Sequence, residues 1–172
     1  LNIQKVLLQI QFFYILGMNS PSFDLWAAGD NTYGQIWNDK CKISPRFICC
    51  NCFPFHPSDI TSFSSWNQST AFVKNGTRVY FKKENQEMKP IDCGIVKSIQ
   101  CLDDCAIALL NDNSLIEIPS MKKLNLTNCK EFCCSENFIV FVNFNNQAFL
   151  IRGDRFSNPE NIGENIQLIG CT

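Results

Sequence analysis

The sequence predicts an all-β chain built by repetition of one hairpin. Three observations carry this. Residues 63–81, FSSWNQSTAFVKNGTRVYF, read as two strands, Thr70-Ala71-Phe72-Val73 and Arg78-Val79-Tyr80-Phe81, around Asn75-Gly76. Asn and Gly both accept the positive φ of tight primed turns, so Asn-Gly between apolar runs is a strong hairpin signal. The same pattern returns twice in phase, and it begins once more near residue 171.

Ser65 aligns with Cys101 and Cys134. Five to eight positions on stand Thr70-Ala71-Phe72-Val73, Ala106-Ile107-Ala108-Leu109 and Ile139-Val140-Phe141-Val142. Their near-continuous apolar character suits strands covered on both faces. Eleven positions on stand Gly76, Asp112 and Asn145, expected to take the left-handed turn conformation. The return strands then start with Val79-Tyr80, Leu115-Ile116 and Ala148-Phe149. Before the anchor come Phe63-Ser64, Ile99-Gln100 and Phe132-Cys133, and Ile169-Gly170-Cys171 repeats this opening. Successive anchors are 36, 33 and 37 residues apart. A period of that size marks an array of supersecondary units, each needing neighbours to bury its faces.

Composition narrows the function classes. The 172 residues are 45% hydrophobic and 18% charged, which is globular rather than disordered. A net charge of −1 and a pI near 5.8 leave no basic footprint for direct nucleic-acid binding. The 15 Phe residues suit short β elements with aromatic faces. Eleven cysteines fit either a secreted disulfide scaffold or buried thiols in a reducing compartment, and an odd number leaves one free within a monomer. Cys101, Cys134 and Cys171 occupy one equivalent position in separate units, which favours buried thiols. The triplets beginning at Asn67, Asn75 and Asn125 have the form of glycosylation acceptors, although Asn75 is already explained by its turn.

The remaining segments are taken in order. Residues 1–17 are read as non-native leader or upstream translation, with the protein starting at Met18; a signal peptide is the alternative reading of the apolar run 6–16, which is too short to span a bilayer. Residues 25–36, LWAAGDNTYGQI, form a strand end that leaves through Gly29, Asp30-Asn31 and Gly34-Gln35. The third glycine and following helix of a dinucleotide fingerprint are missing. Residues 37–59 read as loop-rich, broken by Pro45, Pro54 and Pro57, with a short strand over 47–53 bearing inward cysteines. Cys50, Cys52 and His56 could be drawn as metal ligands, but a second ligand pair at zinc spacing is not evident. A Cys–His catalytic pair from the same residues lacks a base, an orienting group and an oxyanion loop. No catalytic, cofactor or metal residue is therefore assigned, no small-molecule substrate or membrane is expected, and the chain is read as a non-enzyme. Asp30-Asn31-Thr32-Tyr33 and Lys82-Lys83-Glu84 are polar loop candidates without an assigned partner.

The motif in residues 25–36 resembles the signature of the regulator of chromosome condensation (RCC1-type) repeat family, W-G-x-N-x-x-G-Q-L-G. The hairpins resemble that family's S-C-G-x-x-H-T-x-A-L-T-x-D-G-x-V-Y element. The similarity covers residues 25–172 and is most specific in the signature loop and the 63–81 hairpin, where Ser64-Ser65-Trp66 and Thr70-Ala71-Phe72-Val73 match a small chromatin-linked member. The resemblance implies a β-propeller used as a rigid binding platform. Here it would be partial: residues 18–172 form the N-terminal portion, with about three degenerate blades and an unclosed ring. It further implies a nuclear or cytoplasmic adaptor that binds a jumonji-C oxygenase acting on histone lysines. Guanine-nucleotide exchange on a Ran-like GTPase is the family alternative, and a secreted, glycosylated Cys-rich domain is the third reading. The chain departs from the pattern at Trp37, at Ser69, Cys105 and Phe138 in place of the hairpin His, and in its short repeat, which predicts missing or compressed outer strands. Residues 151–155 keep a remnant of the signature, with Gly153 in the place of Gly29.

Overall fold

A computed structural model describes residues 26–30, 43–49, 55–56, 59–84, 86–126 and 128–166, the first two segments as backbone only. The chain divides into two units, Leu1–Ser58 and Asp59–Thr172. In the first, β1 (Trp26–Asp30) pairs antiparallel with β2 (Ile43–Cys49). The expected strand over 47–53 is thus displaced towards the N-terminus and runs through Pro45; residues 50–54 lie outside the described residues. The register slips between Ala27 and Gly29, opposite Pro45, so the residue that cannot donate sits at an irregularity of the ladder.

The second unit contains three antiparallel sheets in sequence order, each with its strands in simple succession. The first holds β3 (Ile60–Trp66), β4 (Ser69–Lys74), β5 (Arg78–Lys83) and β6 (Lys89–Asp92). The second holds β7 (Val96–Cys101), β8 (Ala106–Leu110) and β9 (Leu115–Ile118). The third holds β10 (Cys129–Ser135), β11 (Phe138–Asn143), β12 (Ala148–Arg152) and β13 (Glu160–Gly163). These are three blades of a partial propeller, and the ring is not closed. The predicted loss of an outer strand falls on the second blade. There, after Ile118–Pro119, a single bridge from Ile116 to Lys123 stands where its neighbours have a fourth strand. Lys82 and Lys83, expected in a loop, are the last residues of β5.

The middle strands explain the continuous apolar runs. On β8, Ala106 and Ala108 face the first blade, whereas Ile107 and Leu109 face the third. Small side chains on one side and large ones on the other let a single strand serve two seams. The first seam packs Ala71, Val73, Val79 and Phe81 against Ile99, Ala106, Ile116 and Ile118. The second packs Ile107, Leu109 and Leu115 against Phe132, Ile139, Phe141 and Ile151. Burial of each large side chain contributes roughly 1.5–3 kcal/mol, so the seams carry most of the stability. Phe72 stacks on Tyr80 with ring centres 5.1 Å apart, and Phe141 on Phe149 at 5.0 Å. The equivalent pair in the second blade is Ala108 and Ile116.

The turns correct the sequence reading by one residue. Asn75 and Gly76 both have positive φ, 51° and 70°, as the Asn-Gly signal requires. In the next two blades the left-handed residues are Asn113 (φ 66°) and Asn146 (φ 59°), rather than Asp112 and Asn145. These turns are a residue longer in their right-handed part. Asn113 donates its N–H to the Leu110 carbonyl, and Asn146 to that of Asn143, as in a type I turn closed by a left-handed residue. Asp112 is used differently: its Oδ1 accepts from the N–H and the hydroxyl of Ser114, and those bonds first of all hold its carboxyl below the usual range. Gly153 leaves β12 at φ +63° in open space, so conformation rather than crowding sets it. This is the strand-exit role expected of the signature glycine.

Candidate functional site

Each inner strand (β3, β7 and β10) opens with the same irregularity. The register slips between Ile60 and Ser62, between Val96 and Ser98, and between Cys129 and Glu131. The extra residues are Thr61, Lys97 and Lys130. A β-bulge turns its extra side chain out of the alternation, and here all three are exposed. Lys97 Nζ donates to Asn113 Oδ1 at 2.6 Å, and Lys130 Nζ to Asn146 Oδ1 at 3.0 Å. Each lysine thus leans on the left-handed asparagine of its own blade's turn.

A second repeated contact brings these bulges to one end of the blades. Val96 donates its N–H to the Gly76 carbonyl (2.8 Å), Cys129 to that of Asn113 (3.0 Å), and Ile166 to that of Asn146 (2.9 Å). Every inner strand therefore begins against the preceding blade's turn, and the turns 74–77, 110–114 and 143–147 share an end. Ile95 is 57% exposed there, its carbonyl accepting from Asn111 N–H, and Phe144 is 56% exposed within its turn. Of the charged groups at this end, Lys74 pairs with Asp59 and Lys123 with Asp112. Lys97 and Lys130 bond only neutral amides, although Lys97 shares the surroundings of Cys129 with Glu131. The end combines two outward lysines with two exposed apolar side chains.

The opposite end is closed on itself. Arg155, on the loop after β12, donates to Glu117 Oε2 and to Asp104 Oδ1, both at 2.8 Å, and to Cys105 Sγ at 2.6 Å. Burial works against the Arg155 charge, and Cys105, Asp104 and Glu117 outweigh it to hold its pKa above the ordinary value. The adjoining seam beside Leu102, Phe138 and Ile151 has no room for a water molecule. Lys122 lies 3.6 Å over the Phe156 ring, completing a clasp of the third blade on the second.

The cysteines are not poised for chemistry. Cys93, Cys101, Cys105, Cys129 and Cys134 are free thiols. Burial pushes Cys101, Cys105 and Cys129 up to about 12 and raises Cys134 further, far from thiolate character at neutral pH. Cys101 and Cys134 occupy the equivalent core position expected for them, and Ser65 replaces the thiol in the first blade, its hydroxyl 3.2 Å from that of Thr70. Cys133 is the exception and is disulfide-bonded.

Of the other sequence candidates, Cys50 and Cys52 lie outside the described residues, as do residues 31–33, and exposed His56 is the described member of the drawn ligand set. Among the described residues no group of three His, Cys, Asp or Glu could hold a metal ion, and no helix is long and apolar enough to cross a membrane. Asn67, Asn75 and Asn125 are all exposed in turns or loops. Sequence reasoning missed Lys97 and Lys130, although a lysine with an asparagine 16 residues on recurs in phase in two units. It also missed Arg155, whose partners lie 38 to 51 residues away and leave no local pattern.

No protein-family profile matches the chain, and no curated protein sequence matches it. Solved structures do. Human WBSCR16 aligns with a TM-score of 0.55 at 14% identity, over 81% of this chain and 47% of its own. Yeast RCC1 (Prp20), solved with Kap60, aligns at 0.53 and 14% identity, over 74% of this chain and 37% of its own. Prp20p of Saccharomyces cerevisiae, studied for its binding to Gsp1p and histones, aligns at 0.52 and 15%. The chain spans less than half the length of these neighbours. At such identities the likeness concerns architecture, and the architecture is an RCC1-like β-propeller of which this chain makes a part.

Proposed function

We propose that the chain is a non-catalytic scaffold that binds a protein partner through the turn end of its blades. The observation that carries this is the bulge repeated at Lys97 and Lys130, which sends both charges outward on the end that also exposes Ile95 and Phe144. A rigid β frame displaying adjacent turns is suited to recognition. The solved neighbour Prp20 is a complex-former, bound to Kap60 in one structure and studied with Gsp1p and histones in another. The finer reading is a nuclear adaptor resembling RCC1 domain-containing protein 1, with a jumonji-C oxygenase as partner. Its support is the hairpin Ser64-Ser65-Trp66 with Thr70–Val73. Exchange on a Ran-like GTPase is the second reading, favoured by the likeness to Prp20. Immobilised oxygenase and GTPase, each offered wild-type chain and a Lys97→Glu/Lys130→Glu/Phe144→Ser variant, test both. Capture by the oxygenase that the variant loses is the expected result. Capture by the GTPase alone, with accelerated nucleotide release, reverses the ranking, and equal capture of wild type and variant removes the turn end as the site.

A further inference from the structure

The third blade turns one face away from the second, carrying Cys133, Val140, Val142, Ala148 and Leu150 by register. The corresponding faces of the first two blades are each covered by the next inner strand through one repeated contact. Ser64 Oγ accepts the Cys101 N–H at 2.8 Å, and the Ser64 carbonyl lies 3.2 Å from Cys101 Sγ. Gln100 Oε1 accepts the Cys134 N–H at 2.9 Å and lies 3.4 Å from Cys134 Sγ. In both seams the residue before the anchor meets the backbone and the thiol of the next anchor.

In the third blade the residue in the place of Ser64 and Gln100 is Cys133. It is buried and disulfide-bonded, while Cys93, Cys101, Cys105, Cys129 and Cys134 are free. The cysteines that remain as partners are Cys41, Cys49, Cys50, Cys52 and Cys171. Only Cys171 stands at an anchor, 37 residues beyond Cys134. The hydrogen bond that opens a new inner strand is also present, from Ile166 N–H to the Asn146 carbonyl at 2.9 Å. We propose that residues 167–172 cover this face as the opening strand of a fourth blade, clamped by a Cys133–Cys171 disulfide.

The bond forms by exchange with a small disulfide such as oxidised glutathione. The Cys171 thiolate attacks one glutathione sulfur and releases the other half as a thiolate, which takes up a proton. The Cys133 thiolate then attacks the Cys171 sulfur of the mixed disulfide and releases the second half. Two protein thiols are oxidised, and one glutathione disulfide is reduced to two thiols.

The test is peptide mapping of the full chain, prepared in a glutathione redox buffer, with free thiols alkylated in denaturant and digestion done without reductant. A fragment joining Cys133 to Cys171 is expected. Cys133 found alkylated, glutathionylated or joined to another cysteine overturns the proposal. A Cys171→Ser chain, altered outside the three described blades, gives a second reading. Its Cys133 should become fully alkylatable while Cys101 and Cys134 are unchanged, and a Cys133 that stays protein-linked in this variant also overturns it.

Discussion

Replacing Gln100 by Ala removes a two-way bridge between the second and third blades. Its amide donates to the Phe132 carbonyl at 3.1 Å and accepts from the Cys134 N–H at 2.9 Å. Both backbone groups belong to residues at most 9% exposed, so water reaches them poorly. An orphaned buried group costs about 1–3 kcal/mol, and two such groups with partial relief by water give about 2–4 kcal/mol. In a repeat array this loss falls on one interface rather than on the sheets. Equilibrium urea unfolding followed by circular dichroism reads it as a lower midpoint. With about 4–8 °C per kcal/mol for a small domain, the melting temperature drops by about 10–20 °C. Gln100→Glu keeps the acceptor for Cys134 but loses the donor to Phe132, and should cost less than the alanine. Amide exchange at Cys134 should accelerate while that within β4 does not. A Gln100→Ala chain within about 0.5 kcal/mol of wild type would show that the packed seam, and not this bridge, joins the blades.

Three further outcomes follow from the turns, the thiols and the clasp. Gly76→Ala meets no steric neighbour but must hold φ near +70°, so it should cost about 1–2 kcal/mol, measured by the same unfolding; a neutral effect would refute the strained-turn account. Cys101 is held neutral up to about 12, whereas an unfolded thiol ionises near 9. Stability from this group is thus complete below pH 9 and falls as pH rises towards 12, by about 1.4 kcal/mol per pH unit, so midpoints measured between pH 8 and 11 should decline and Cys101→Ser should flatten the decline. Arg155→Met leaves the mostly covered Glu117 carboxylate without its partner and should cost about 1–3 kcal/mol. Because Arg155 also draws the Cys105 pKa downward, the variant should slow alkylation of Cys105, and faster labelling without lost stability would contradict the clasp.

The repeat, the hairpins and the left-handed Asn-Gly turn were legible because period and turn chemistry are local properties. Cys101 and Cys134 could be paired as equivalent core positions from spacing alone. The displacement from Asp112 to Asn113 was not legible, since either residue tolerates the left-handed region and only turn length decides between them. The strand through Pro45 was hidden because a proline argues against a strand unless the ladder slips there. The surface at Lys97 and Lys130 escaped because a bulge is invisible to alternation patterns, and Arg155 escaped because its three partners are remote in sequence.

The second blade lacks a regular fourth strand, yet both its seams are intact and its inner strand joins each neighbour as the others do. Everything that sets the angle between blades therefore lies on the inner and middle strands. The outer margin is free to vary in length and shape without disturbing the arc. Segment 119–126 is accordingly the position where an insertion, a graft or a new recognition loop can be accommodated while the frame is conserved.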